Sequence, residues 1–438
     1  MIPLDNALAQ RAASGHPIRV AMIGAGFMAR GIARQLRTTH PGMRLVAISN
    51  RTTAKAVAVL ERAGFPDIRT VVDVAGLDAC IDAGAVAVTD DYRLLAESTQ
   101  VDVLLEATGA IEHGAHVIAH AIDHAKDVVS MNAELDATIG PLLQLRAQAA
   151  GVLVTGCDGD QPAVQLNLVR FVRSLGLTPL VCGNIKGLQD HYRTPETQRG
   201  YAAAWGQTPE AVTSFADGTK ISFEQALVAN ALSMSIAGSG MLGPNYTGHI
   251  DGLTAYYLRE VGLARLRELG GVVDYVVGAT PGPGVYVFAE NDDPEREIYL
   301  RYGKLGDGPL YSFYVPYHLT ALEAPLSIAR VALFRDHVVT SRPQAPTVDV
   351  VAHAKRDLRA GDTLDGIGGF MTYGACERAD VTADRRYVPI GLAEGATLLR
   401  DVPRDTVLSE GDVELREDRL VVRLRREQNA LLPQSARP

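Results

Sequence analysis

No two of the four cysteines, Cys80, Cys157, Cys182 and Cys376, stand at Cys-x-x-Cys spacing. That absence argues against a disulfide framework and against a thiolate zinc site, so reduced, mostly buried thiols are expected. Long apolar runs are missing too. The longest uncharged stretch, residues 225–250, is interrupted by Asn230, Asn245 and several Ser and Gly, too polar for a membrane span. Residues 1–17 lack the basic start and continuous apolar run of a secretory signal, and a cytoplasmic protein with no membrane partner is expected. Blocks of one charge sign are also absent. The net charge of −9 is spread along the chain, which leaves no basic footprint for nucleic acid.

What is present is a globular composition. At 438 residues, 47% hydrophobic and 21% charged, the chain can bury a large core and divide it between two or three domains. After an amphipathic helix near Leu4–Ala13, short apolar runs recur at residues 18–23, 45–49, 86–89, 101–105, 127–130 and 152–155, with helical patterns between them. This alternation predicts an α/β fold built on a doubly wound parallel sheet covered on both faces. Residues 65–85 are longer than a simple connection and read as an insertion before the run at 86–89.

Between the first apolar run and the helix after it stands Gly24-Ala-Gly26-Phe27-Met28-Ala29-Arg-Gly31. Gly24 permits a tight turn, Gly26 lets the main chain approach a pyrophosphate, and Ala29 allows close helix–strand packing with the phosphate at the helix N-terminus. The pattern, followed by a second strand at βαβ separation, predicts a Rossmann dinucleotide-binding domain over residues 1–155. At the end of that second strand stand Asn50 and Arg51. A carboxylate there would bind both ribose hydroxyls of NAD and repel a 2′-phosphate, whereas a neutral amide and a cation favour NADP(H) over NAD(H). A solvated Arg51 and a turn-forming Asn50 are the plainer alternative.

Ligands of such sheets lie beyond the carboxyl ends of the strands. Thr108, Gly109 and Asn132 are therefore expected near the nicotinamide ribose, and Glu134 is either a site residue or an acid favoured by a helix N-terminus. His113, His116, His120 and His124 line one face of the helical segment between two of these strands. Without a cysteine or acidic ligand to complete a metal set, an ordinary polar face is the preferred reading.

From residue 156 the composition shifts towards Gly, Asp, Asn and Tyr, which marks a catalytic and oligomerisation domain, α+β in class, over residues 156–340. Gly282-Pro283-Gly284 predicts a turn into a strand, and residues 327–334 a helix able to return to the first domain. A Pro-containing linker at 341–346 leads to a small β-rich domain, residues 347–428, with glycine turns at Gly361, Gly395 and Gly411, and the chain ends in an expected mobile tail from Asn429.

Hydride transfer to a carbonyl requires a group that moves the hydroxyl proton, and often a cation to hold an oxyanion or phosphate. Lys186 and Lys220 are each close to a glycine, a context of shaped loops and helix starts, and are the leading candidates; an exposed pair of Lys220 with Glu224 is the alternative. Asp158 and Asp160 flank a glycine and are candidates to bind Mg²⁺ or Mn²⁺ or to orient a lysine, the alternative being a turn capped by its own side chains. Asp217 fits a helix N-cap, and His318 either contacts substrate or is a core histidine.

The first two regions resemble the homoserine-dehydrogenase-like oxidoreductases. Nearly the whole chain resembles the 1-deoxy-D-xylulose 5-phosphate reductoisomerase-like family through Gly24-Ala-Gly-Phe-Met28, Ser130-Met-Asn-Ala-Glu-Leu-Asp136, Gly156-Cys-Asp-Gly-Asp-Gln-Pro162, Cys182-Gly-Asn-Ile-Lys-Gly-Leu-Gln-Asp190, Thr213-Ser-Phe-Ala-Asp-Gly-Thr-Lys-Ile-Ser-Phe-Glu224 and Asp274-Tyr-Val-Val-Gly278. Asp357-Leu-Arg-Ala-Gly361 and Pro389-Ile-Gly-Leu-Ala393 resemble the SAF fold. The resemblance implies an acid–lysine pair at Asp217 and Lys220, and Phe27 and Met28 as part of the cofactor turn. It also implies conversion of 1-deoxy-D-xylulose 5-phosphate to 2-C-methyl-D-erythritol 4-phosphate, a step of isoprenoid biosynthesis. The alternatives are a dehydrogenase or oxidoisomerase of another small polyol, sugar acid or hydroxy-carbonyl compound, and, in another class, a non-catalytic dinucleotide sensor. A small-molecule partner, phosphorylated in the leading reading, and a homodimer or homotetramer are expected.

Overall fold

The computed structural model describes residues 4–433. By internal contacts the chain divides into two compact units, residues 1–160 with 319–343, and residues 161–318 with 344–438.

The first unit is built on seven strands: β1 (Ile18–Ile23), β2 (Met43–Ser49), β3 (Ile68–Thr70), β4 (Val86–Thr89), β5 (Val103–Glu106), β6 (Asp127–Ser130) and β7 (Val154–Gly156). Their order is β3-β4-β2-β1-β5-β6-β7, and every pairing is parallel. Apolar runs buried on both faces, such as Val20, Met22 and Ile48, are what a parallel sheet flanked by helices demands. Residues 65–85 contribute the edge strand β3, largely exposed, and the helix Val74–Asp82, which Asp73 caps by accepting from Gly76 N. The helix Thr320–Phe334 belongs to this unit and packs on the helix Phe27–Thr38 at Gly31, where a Cβ would stand 2.8 Å from Ala321 Cβ.

The second unit contains a mixed sheet of β8 (Thr178–Lys186), β9 (Val272–Val277), β10 (Gly284–Glu290) and β11 (Leu310–Val315), in the order β11-β10-β8-β9. Strand alternation sorts β8 into two faces. Gly183 lies opposite Tyr286 and Asp274, and a Cβ there would come within 2.3 Å of the Tyr286 ring. On that side the Tyr257 hydroxyl donates to Asp274 Oδ2 at 2.8 Å and meets Tyr286 Oη, also at 2.8 Å, inside a core of Leu253, Phe288 and Val276. Burial pushes the Asp274 carboxyl up to about 6, against the hydrogen bonds it accepts from Gly243 N and Tyr275 N. The other face carries Asn184 and Lys186.

The β-rich region is part of this second unit. It comprises the antiparallel pair β12 (Val348–Ala354) and β13 (Thr372–Arg378), and the short pair β14 (Thr397–Leu398) and β15 (Val413–Glu414). The helix Thr219–Leu232 joins it to the mixed-sheet part through hydrogen bonds at both ends. Thr219 Oγ1 accepts from Gly374 N, Ser222 Oγ donates to Gly374 O, and Asn230 Oδ1 accepts from Thr347 and Val348 N. The terminal helix Leu420–Leu431 is held to β12 by Arg425, which forms a bidentate, buried pair with Asp349 at 2.8 Å on each arm. Of the expected tail, Asn429 to Leu431 are helical and 434–438 lie outside the described residues. All four cysteines are free and buried. Among the described residues no helix is long and apolar enough to cross a membrane.

Removing one partner of a buried ion pair strands the other charge in a low-dielectric interior, at about 3–5 kcal/mol. Arg425→Met is therefore expected to lower unfolding stability by that amount in denaturant titration, with Asp349→Asn in the same chain recovering part of it.

Candidate active site

The carboxyl ends of the parallel strands are stitched in a row. Gly24 N donates to Ser49 O, Asn50 N to Thr89 O, Ala107 N to Ile23 O and Met131 N to Glu106 O, all at 2.8–3.0 Å. This brings Gly24, Asn50, Thr108 and Asn132 to one edge, as the strand-end rule predicts. Gly24 has φ +108°, and a Cβ would sit 2.9 Å from Ala107 O, so only glycine can make this turn. Gly26 is the N-cap of the helix Phe27–Thr38, which has no side-chain cap and no acid in its first turn. Space beside Gly26 is open. Uncapped first-turn N–H groups next to a bare main chain form a cradle that fits a pyrophosphate. Ala29 is fully buried in the core, Met28 packs against that core, and Phe27 is half-exposed beneath the Arg30 guanidinium.

Other residues of this edge are committed to their own loops. Asn50 Nδ2 donates to Thr52 O at 2.8 Å, a turn-forming bond, and Arg51 is exposed. The Arg51 charge still reaches His113, whose pKa is lowered by burial first and then by His116 and Arg51. Asn132 is buried and caps the helix Ala133–Ala150, accepting from Leu135 N and donating to Ala110 O. These bonds shape the loop at the strand end. Glu134, buried in the first turn of that helix, holds the position of a dipole-favoured acid. Gly109 turns with φ +66°.

The sequence reading passed over Glu106, the last residue of β5. It is fully buried, accepts from Thr108 N at 2.8 Å and from the Thr108 and Ser130 hydroxyls, and burial raises its pKa against those bonds. An acid ending an otherwise apolar strand is the signal that could have found it.

Asp158 was expected to offer its carboxylate to a divalent ion, and the structure corrects this. The side chain is 4% exposed, receives the Ser327 hydroxyl at 2.9 Å and faces Arg330 Nη1 at 3.1 Å. A carboxylate already opposed by a buried guanidinium is electrostatically spent, and here it fastens the 157–160 turn to the helix Thr320–Phe334. Gly159 takes φ +78° at a point where a Cβ would meet Thr320 Cα at 2.9 Å. Asp160 ends the same turn half-buried, its N–H donating to Cys157 O.

Asp217 is likewise no partner of Lys220. Its Oδ1 accepts from Thr219 N, and its Oδ2 from the Lys355 ammonium at 2.9 Å, both side chains being buried. Lys355 also donates to Arg193 O and Gly369 O, so all three of its hydrogens are used. The pair is a clamp, and Lys355 escaped the sequence reading because it stands 138 positions away. Lys220 lies half-buried in the first turn of the helix Thr219–Leu232. His318 is half-buried, its Nδ1 without a hydrogen-bond partner among the described residues.

Lys186 is different. It ends β8, donates to Gln189 Oε1 at 2.9 Å and to Phe215 O at 2.8 Å, and its third hydrogen has no acceptor among the described residues. Gly218, at φ +91°, makes room for the Gln189 amide, which a Cβ there would strike. Two residues back on the same face, Asn184 accepts from Gln165 Nε2 at 2.6 Å and donates to Glu224 Oε2 at 3.0 Å. Desolvation pulls the Lys186 ammonium down to about 8, and the charges of Glu224 and Asp217 only partly offset it. An amine balanced near neutrality can give or take a proton.

Comparison with known proteins bears on both units. Residues 18–130 match the family described as "Oxidoreductase family, NAD-binding Rossmann fold", and residues 159–324 the family "Oxidoreductase DRL, catalytic domain". No curated protein shows significant similarity to the chain. Among solved structures, an NAD binding oxidoreductase from Klebsiella pneumoniae is similar at 16% identity over 40% of this chain and 44% of that one, with a TM-score of 0.29. The chain thus spans less than half of that protein. KijD10, a 3-ketoreductase from Actinomadura kijaniata in complex with TDP-benzene and NADP, is similar at 14% identity over 73% and 91% of the two chains, TM-score 0.39. A probable dehydrogenase from Thermotoga maritima is similar at 12% identity over 74% and 91%, TM-score 0.41. None of these matches names 1-deoxy-D-xylulose 5-phosphate reductoisomerase, homoserine dehydrogenase or a SAF domain. Residues 18–130 are thus similar to the NAD-binding Rossmann domain of the GFO/IDH/MocA oxidoreductases, and residues 159–324 to the DRL catalytic domain.

Proposed function

We propose that the chain is an oxidoreductase that transfers hydride between NADP(H) and the carbonyl or hydroxyl carbon of a small polar substrate, with Lys186 moving the hydroxyl proton. The observation that carries the reading is the Lys186 amine, desolvated to about 8 and holding one hydrogen with no acceptor among the described residues. When bound, the nicotinamide supplies or accepts the hydride. The chain's own part is division of labour. Gly24, Gly26 and the first turn of the helix Phe27–Thr38 receive the diphosphate, Arg51 receives the adenosine 2′-phosphate, and Lys186 donates to the substrate oxygen as it becomes a hydroxyl. Gln189 and Phe215 O aim the amine, and the Asn184–Glu224 pair beside it keeps a compensating negative charge near the ammonium.

Oxidation or reduction of a hydroxy- or keto-compound suits these groups better than rearrangement of 1-deoxy-D-xylulose 5-phosphate. The rearrangement is expected to use a divalent ion held by Asp158 or Asp160, and the Asp158 carboxylate is opposed by Arg330. Turnover of that sugar phosphate by purified enzyme with NADPH and Mn²⁺ would overturn this choice.

The pH dependence follows from the lysine. Carbonyl reduction requires the protonated amine and should fall as pH rises through about 8; alcohol oxidation requires the neutral amine and should rise over the same interval. Lys186→Met should remove both limbs and lower kcat by about 100- to 10,000-fold, the usual scale of general acid–base catalysis, while dinucleotide affinity measured by calorimetry stays unchanged.

Cofactor choice rests on residues 50 and 51. Arg51→Ala should weaken NADPH binding by about 10- to 100-fold, the scale of a hydrogen bond to a charged group, and leave NADH binding nearly unaltered. Asn50→Asp should shift the preference towards NADH. Equal effects of Arg51→Ala on both dinucleotides would refute the assignment.

A further inference from the structure

The histidines at spacing three and four on the helix Ile111–Asp123 lacked an acidic companion in the sequence, and the tertiary structure supplies one. The helix Arg93–Glu97 ends beside this face, and Glu97 Oε1 stands 3.2 Å from His120 Nε2. His124, the C-cap of the longer helix, follows His120 by one turn, with ring centroids 4.1 Å apart and planes tilted by 39°. One potential ligand atom from each of Glu97, His120 and His124 lies within 4.8 Å of the others. We propose that Glu97, His120 and His124 form a binding site for a borderline transition-metal cation, Zn²⁺ or its analogues Co²⁺ and Ni²⁺.

Two features of the geometry support this beyond proximity. His124 Nδ1 lies 2.9 Å from His120 O, and since a carbonyl can only accept, that nitrogen carries the proton and Nε2 keeps its lone pair. A histidine anchored by a bond from one ring nitrogen to a backbone carbonyl presents the other as a metal ligand in its preferred tautomer. Tyr92 makes near-perpendicular ring contacts with His120, centroids 6.0 Å apart, and with His113 at 5.3 Å, which restrains the first imidazole. His116, one turn earlier, is engaged with Glu112 at 3.2 Å and stands outside the set.

Two imidazoles and one carboxylate suit borderline cations, whereas Mg²⁺ and Ca²⁺ seek all-oxygen shells. Three protein ligands leave a fourth tetrahedral position for water. With bonds of about 2.0–2.2 Å the ligand atoms around such an ion would lie about 3.4 Å apart. The partly exposed Glu97 and His124 side chains can close the remaining gap by rotating. The ion would cross-link the two helices. It sits at the far end of the helix from Ile111, about 14–20 Å along the axis at 1.5 Å per residue, so its role is to fasten this helix pair and not to enter hydride transfer.

The test uses the full chain, free of purification tags and stripped with chelator. Zn²⁺ should bind with one equivalent by calorimetry and raise the melting midpoint by several degrees, and Co²⁺ should give the visible absorption of a low-symmetry four-coordinate site. Glu97→Gln and His124→Ala should each weaken Zn²⁺ binding at least tenfold and abolish the cobalt band, with metal-free melting and NADPH binding unchanged as proof of folding. His116→Ala should bind as the parent does. No saturable Zn²⁺ binding, or binding that survives both His120→Ala and His124→Ala, overturns the proposal.

Discussion

The main chain at Gly24 can turn back on itself only because nothing projects from its α carbon. A methyl group there would press on Ala107 O, and the φ of +108° is closed to other residues without strain. Several other features depend on that one contact. It sets the end of β1 against the end of β5, so the bonds linking Gly24, Ser49, Ala107 and Ile23 can form. It then directs the chain so that the next helix begins at Gly26 with its first-turn N–H groups uncapped. A second glycine, Gly31, carries the arrangement outward, letting the helix Thr320–Phe334 lie close enough to complete the first unit.

Charge burial separates residues that hold the structure from those available for chemistry. A charged group removed from water must be matched, or it is neutralised. Asp158 with Arg330, Asp217 with Lys355 and Asp349 with Arg425 are three buried carboxylates, each in hydrogen-bond contact with a cation. Lys186 departs from this pattern. Its contacts are neutral oxygens, and the carboxylates that act on it do so through space, so the cost of desolvation remains in the amine as a lowered proton affinity. That difference, invisible in a string of residue types, separates the lysine suited to proton transfer from acids such as Asp158 and Asp217.

Much of the architecture was legible in advance. Predicted strands at Val86–Thr89 and Asp127–Ser130 coincide with β4 and β6, the run at 152–155 is shifted by two residues at its start, and the strand after Gly282-Pro283-Gly284 is β10. Parallel strands buried on both faces write continuous apolar runs, a signal that needs no neighbour to read. The polar site was less legible. Asn132, expected near the nicotinamide ribose, is in addition a helix cap, and Asp217, expected as half of a catalytic pair, is half of a clamp. In each case the partner that claims the side chain lies on another element: Ala110 O for Asn132, and Lys355 for Asp217.

The sequence alone determined the βα alternation, the glycine turn and the positions of the loops beyond the strands, because periodicity and backbone freedom are properties of neighbouring residues. Tertiary structure decided which charged groups are spent and which are available. It set Arg330 against Asp158, Lys355 against Asp217 and Glu97 beside His120, and left Lys186 with neutral partners. A side chain's charge state and reach depend on what folding brings within a few ångströms of it, and those groups come from segments far away along the chain.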